Sequence, residues 1–126
     1  MPRVSTLFFT TGTLAVTGGM IWGIVMAATH DHSLSGALAH LNLVGWATMA
    51  LTGIYYAMTL RAATGWLPLV HFGLAVAGLV TLVPGIALAV SGRGEGLAIA
   101  GSFLTLGGML IFLVTVLRHG FGPHAT

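Results

Sequence analysis

The chain has 126 residues, of which 56% are hydrophobic and only 5% are charged, with four arginines against two acids. Soluble domains contain about 25% charged residues, so this composition indicates an integral membrane protein in a lipid bilayer. Four arginines are too few to form a basic patch that would bind nucleic acid. The absence of cysteine excludes disulfides, thiolate metal sites and covalent haem attachment.

Four apolar segments are each long enough to cross a bilayer, which takes about 20 residues of helix. They cover residues 7–28, 36–60, 67–90 and 97–117, and none contains Asp, Glu, Lys or Arg. Short connections make consecutive helices antiparallel neighbours. The sequence therefore predicts an all-α four-helix membrane bundle, up-down-up-down, as a single domain. The first segment is longer than the apolar region of a signal peptide, about 7–15 residues, so we expect a retained helix.

The charged residues at the ends of these segments predict the orientation. Arg3, Arg61 and Arg118 fall at one end of the bundle, whereas Arg93 falls at the other end beside Glu95. Cytoplasmic loops carry an excess of Lys and Arg. We therefore expect both termini in the cytoplasm, and the membrane to be a bacterial inner membrane.

The loop between the first two segments contains His30, Asp31 and His32. Two imidazoles and a carboxylate suit a divalent ion such as Zn²⁺ or Cu²⁺. Three consecutive residues rarely all bind one ion, so His40 or a partner chain would have to contribute a ligand. The alternative is a solvated loop at the membrane surface.

Two polar residues, His40 and Asn42, lie inside the second segment. Polar side chains within spans usually face protein. At about 3.6 residues per turn the two side chains point roughly 200° apart, so we expect protein on both sides of this helix, which a homo-oligomer provides more easily than a lone bundle. His40 is either an interhelical hydrogen-bonding group or a haem or metal ligand. The residues favour an interhelical hydrogen bond for Asn42.

The other histidines lie near segment ends. His71 begins the third segment beside Trp66 and Pro68, which is typical of a residue at the lipid–water interface. His119 and His124 lie in the glycine-rich tail RHGFGPHAT, where a frayed terminus is the default. The chain contains no nucleophile–base arrangement, phosphate loop or carboxylate pair, so we do not expect a hydrolase or an NTPase.

Three collinear stretches carry a family resemblance: HDHSLSGALAHLNLVGWATMALTGIYYAMTL, HFGLAVAGLVTLVPGIALAVSGRG and GLAIAGSFLTLGGMLIFLVTVL. In order, they resemble the tenth, eleventh and twelfth helices of haem–copper oxidase subunit I, most closely its C-type branch. The first segment would take the place of the ninth helix. The matching residues are Ala39, His40, Asn42, Gly45, Trp46, Tyr55, Tyr56, His71, Phe72, Leu74, Gly78, Pro84, Arg93, Gly101, Ser102 and Phe103.

The resemblance implies the fold of one of the three four-helix arcs of that subunit. In the family, the matching helix opens with A-H-x-H, whose first histidine binds the high-spin haem and whose second binds the low-spin haem. His40 stands at the first position and Asn42 at the second, so the resemblance implies a cofactor site at His40, Asn42 and Trp46. The family's copper ligands lie on another arc, so this chain alone cannot assemble the oxygen-reducing centre, and whether it is an enzyme stays open.

The resulting hypothesis is a small membrane protein that binds haem b through His40 at a protomer interface in a homotrimer or dimer. Its role would be electron transfer or the binding of a diatomic gas. One alternative is a cofactor-free accessory or assembly protein of a respiratory oxidase. Another is a membrane protein that binds a metal ion at the outer face of its membrane through His30, Asp31 and His32.

Overall fold

The computed structural model describes residues 3–123, and no strand occurs among them. These residues form four helices that are long and apolar enough to cross a membrane: α1 (Arg3–Thr29), α2 (Ser35–Met58), α3 (Leu67–Val90) and α4 (Gly96–His119). A short 3₁₀ turn, Leu60–Ala63, follows α2. The prediction of an all-α chain with four membrane-length helices is confirmed.

Helix α2 changes its winding along its length. Ser35–His40 and Met49–Met58 are α-helical, whereas Leu41–Thr48 between them is π-helical. In this segment the Thr48 hydroxyl donates to the carbonyl of Leu43, five residues back, at 2.9 Å. Because π-helical turns are rare and occur frequently at functional sites, the change of winding directly after His40 singles out this part of the helix.

Helices α1 and α2 pack closely because glycines stand where the two backbones meet. A Cβ atom added at Gly53 would lie 2.9 Å from the carbonyl oxygen of Ser5. A Cβ atom at Gly12 would lie 3.2 Å from the backbone nitrogen of Ala50. In lipid the hydrophobic effect does not drive helices together. Helices associate there through close backbone contacts, and small residues such as these glycines allow those contacts.

Helices α3 and α4 form a second close pair by the same means. A Cβ atom at Gly85 would lie 2.5 Å from the backbone nitrogen of Ala98, and one at Gly101 would lie 2.5 Å from that of Leu82. Both distances are shorter than any van der Waals contact. This interface therefore excludes even a methyl group at the two glycines.

The two helix pairs meet in an aromatic cluster to which every one of the four helices contributes. We define the aromatic cluster as Phe8, Tyr55, Tyr56, His71, Phe72 and Phe112. The His71 ring lies 4.8 Å from the ring of Phe8 and 5.3 Å from that of Phe112, centroid to centroid. Stacked and edge-on aromatic pairs at such distances add to the stability that burial alone provides.

The residues that follow α4 are held against the end of α2. The Arg61 guanidinium donates hydrogen bonds to the carbonyl oxygens of His119 and Gly122. The backbone N–H of Gly122 donates to the Thr59 hydroxyl at 2.9 Å. The expectation of a frayed terminus is therefore wrong for residues 119–122, because the side chains of Thr59 and Arg61, which follow α2, bond to their backbone groups. His124 lies outside the described residues.

Substitution of two glycines in α3 should have opposite effects on stability. In Gly85→Ala the new Cβ meets the backbone of Ala98, whereas in Gly73→Ala it meets nothing within 4 Å. Overpacking costs about 1–3 kcal/mol, while alanine in place of a helical glycine gains roughly 0.5–1 kcal/mol. We expect the free energy of unfolding, measured in detergent, to fall in the first variant and rise in the second. Equal effects would contradict the close contact of α3 with α4.

Candidate functional site

His40 makes its hydrogen bond within its own helix. Its side chain is exposed, and its Nδ1 lies 2.8 Å from the carbonyl oxygen of Gly36, one turn earlier in α2. A carbonyl oxygen only accepts hydrogen bonds, so Nδ1 carries the proton and donates it. The neutral ring then has its lone pair on Nε2. Metal-ligating histidines almost always donate their other ring N–H to a carbonyl, a carboxylate or a water in this way, which orients the ring and raises its basicity.

The His40 side of α2 is not enclosed by the chain itself. Ala37, in the same turn, is fully buried, so this turn packs against the rest of the bundle with one face and presents the imidazole on another. A haem group needs an apolar pocket that covers most of its surface. A haem ligated by His40 would therefore lie outside the four helices of its own chain, and a second surface would have to enclose it.

Asn42 points toward α1. Its Oδ1 atom lies where a Cβ atom on Gly19 would approach to 2.5 Å, so the amide sits in the space that this glycine leaves open. Asn42 as a whole is nonetheless an exposed residue, as His40 is. Within a single chain, α1 therefore flanks the Asn42 side of α2 without burying it.

Trp46 also faces α1 rather than His40. Its ring lies 6.1 Å from the ring of Phe9 in an edge-on arrangement. Within residues 3–123 no ring contact joins Trp46 to His40. The chain alone therefore does not bring together the three residues of the predicted cofactor site.

The loop before α2 is polar and exposed. His30 has a backbone φ of 58°, which is uncommon for a residue other than glycine. Hydrogen bonds from the hydroxyl and the backbone N–H of Ser33 lower the pKa of Asp31, so its carboxylate is ionised at neutral pH. Among the described residues, no three His, Cys, Asp or Glu side chains lie close enough to hold a metal ion. The divalent-ion hypothesis for His30, Asp31 and His32 stays a prediction that needs ligands from elsewhere.

His71 is buried in the centre of the aromatic cluster, so its side chain faces neither lipid nor water; the expectation that it lies at the depth of the lipid–water interface stays a prediction. Only 3% of its surface is exposed, and its Nδ1 lies 2.9 Å from the hydroxyl of Tyr56. Tyr56 is itself fully buried. The sequence contained one signal for this pair, because Tyr56 closes one span and His71 opens the next, which puts both residues at the same end of adjacent helices.

Comparisons with known proteins identify no family. No protein-family model, no curated protein and no solved structure matches the chain. The resemblance to haem–copper oxidase subunit I, with the haem and the oxidase partner that it implies, therefore stays a prediction that rests on the residues of this chain.

The hydrogen bond between Tyr56 and His71 can be measured by a double-mutant cycle. Tyr56→Phe and His71→Leu should each destabilise the fold by about 1–3 kcal/mol, because each leaves the other polar group buried without a partner. The double variant should lose clearly less than the sum of the two single losses. The free energies of unfolding of the four proteins in detergent give the coupling. Strictly additive losses would show that the two groups do not interact.

Proposed function

We propose that this chain is a small integral membrane protein that binds haem b through His40, for electron transfer or for the binding of a diatomic gas. The observation that carries the proposal is the hydrogen bond from His40 Nδ1 to the carbonyl oxygen of Gly36, which leaves the lone pair of this exposed residue on Nε2. The family resemblance gives independent support, since His40 occupies the position of the high-spin haem ligand.

In this proposal the haem lies between neighbouring protomers. The support is the outward position of His40 and the apolar character of the surface near it, where Leu43 is 63% exposed. A second copy of the same surface, in a dimer or a homotrimer, would complete an apolar pocket. A haem held by one histidine keeps an open position for a gas, whereas ligation by histidines of two protomers suits electron transfer. His40 would hold the iron in either case, and Gly36 would fix its tautomer.

The proposed topology is up-down-up-down, with both termini in the cytoplasm of a bacterial cell and the helices in its inner membrane. Contacts at one end of the bundle support it. Arg61, which follows α2, donates to the carbonyl oxygen of His119 at the end of α4. Arg3, at the start of α1, lines a surface cleft together with Leu60 and Thr64. Arginines from three helix ends then lie on one side, as the positive-inside rule requires of a cytoplasmic face.

A second candidate function is that of a cofactor-free accessory or assembly protein of a respiratory oxidase. Asn42 favours it, because the position of the second haem-ligating histidine holds a carboxamide packed on Gly19. The aromatic cluster favours it too, because the centre of the bundle is filled by side chains of the chain itself.

The absorption spectrum separates the two candidates. Protein purified in detergent from cells supplied with haem should show a Soret band that changes on reduction, and His40→Ala should abolish it because the iron loses its ligand. The double variant His30→Ala/His32→Ala is the matched control and should keep the band.

A colourless wild-type protein would contradict the haem proposal. In that case the accessory role predicts co-purification with a larger oxidase and a free energy of unfolding that His40→Ala leaves nearly unchanged.

A further inference from the structure

A surface cleft with two arginines and a histidine lies at one end of the bundle. We define the basic cleft by six residues that follow α2, begin α3 or end α4: Arg61, Thr64, Leu67, Pro68, Arg118 and His119. Its volume is about 210 Å³. Arg118 is exposed, and Arg61 and His119 are each half-buried. A ligand that approaches from outside the bundle can therefore reach all three side chains.

Both acidic side chains of the chain lie far from this cleft. Asp31 precedes α2, whereas Arg61 follows it, and Glu95 precedes α4, whereas Arg118 lies in its last turn. Each of these helices has 24 residues, which at about 1.5 Å per residue makes it roughly 35 Å long. Salt screens exposed charges beyond about 8 Å. The sequence has no other Asp or Glu, so no acidic side chain neutralises the two arginines.

The two arginines keep hydrogen-bond donors for a ligand. The guanidinium of Arg61 is held in place by its bonds to the carbonyl oxygens of His119 and Gly122. These bonds use two of its five N–H groups, and neutral carbonyls leave its charge in place. The guanidinium of Arg118 makes no hydrogen bond or ion pair within residues 3–123. Arginine binds phosphate oxygens with two parallel N–H bonds, so the pair suits a phosphate group.

The first turn of α3 adds positive potential to the same wall. Helix α3 begins at Leu67, and no side chain of the described residues caps it. The N-terminus of a helix carries roughly half a positive charge, which favours a bound anion. The carbonyl end of α4 would repel an anion, but its groups are engaged. The His119 carbonyl accepts from Arg61, and the Gly120 carbonyl accepts from the Tyr55 hydroxyl at 2.6 Å.

We propose that the basic cleft binds the phosphate of an anionic phospholipid. A free phosphate ion has the same charge chemistry, but the surroundings favour a lipid. The cleft lies where membrane-length helices end, at the level of lipid headgroups, and basic pockets between such helices bind anionic headgroups. Apolar side chains beside it are open to acyl chains: Leu117, next to Arg118, is 77% exposed, and Trp66, next to Leu67, is 71% exposed. The site does not depend on a haem at His40, which lies near the other end of α2.

Native mass spectrometry of the detergent-purified protein tests the site with two lipids of equal acyl chains. Phosphatidylglycerol is anionic, whereas phosphatidylcholine has no net charge. We expect the wild type to bind phosphatidylglycerol in preference. In Arg118→Gln its affinity should fall roughly five-fold, the contribution of one arginine near a membrane surface. This variant leaves the bonds of Arg61 to the residues after α4 in place, so we expect its thermal midpoint to match that of the wild type.

The other exposed arginines provide matched controls. Arg93→Gln removes the same charge at the opposite end of α4, and Arg3→Gln removes it from a separate cleft. Both variants should bind phosphatidylglycerol as the wild type does. Equal binding of the two lipids by the wild type, or an equal loss in Arg93→Gln and Arg118→Gln, would overturn the proposal. Inorganic phosphate added in excess should leave the lipid bound. Complete displacement of the lipid would assign the cleft to a soluble anion and would also overturn the proposal.

Discussion

The hydrogen bond between the Tyr56 hydroxyl and His71 Nδ1, at 2.9 Å, is the polar contact around which the bundle is organised. Both groups lie in membrane-length helices, where no solvent is present to form a hydrogen bond with an unsatisfied polar group. Their mutual satisfaction fixes the rotation of α2 against α3. The rings of Phe8 and Phe112 pack on His71, so α1 and α4 contact the same pair.

Close packing at the glycines and the aromatic cluster together leave little room inside the bundle. The cavity between the helices beside Phe8, Thr52 and His71 has a volume of about 20 Å³, which is far too small for a haem. Among the described residues this cavity offers no room for a large cofactor. This constraint, together with the exposed position of His40, supports assigning the proposed haem to an interface between protomers.

His40 and His71 show how one residue type acquires two roles from its surroundings. The Nδ1 of His40 is satisfied by a carbonyl of its own helix turn, so the ring needs no tertiary partner and stays exposed with Nε2 free. The Nδ1 of His71 is satisfied by a tyrosine of another helix, and the ring is enclosed by aromatic side chains. The first arrangement leaves a ring nitrogen of His40 available to bind an exchangeable partner. The second makes His71 a permanent structural contact.

The sequence by itself determined the four helices, and the predicted segment 67–90 coincides with α3. This succeeds because the backbone hydrogen bonds of a helix are local and apolar length alone decides whether it spans a bilayer. The sequence also singled out His40, but its free Nε2 follows from the bond to Gly36 in the folded chain. Only the tertiary structure decided that His71 is buried, that Trp46 faces Phe9 and that Arg61 holds the residues after α4. Each of these depends on how one helix is rotated against another, which packing between distant residues sets and no local pattern records.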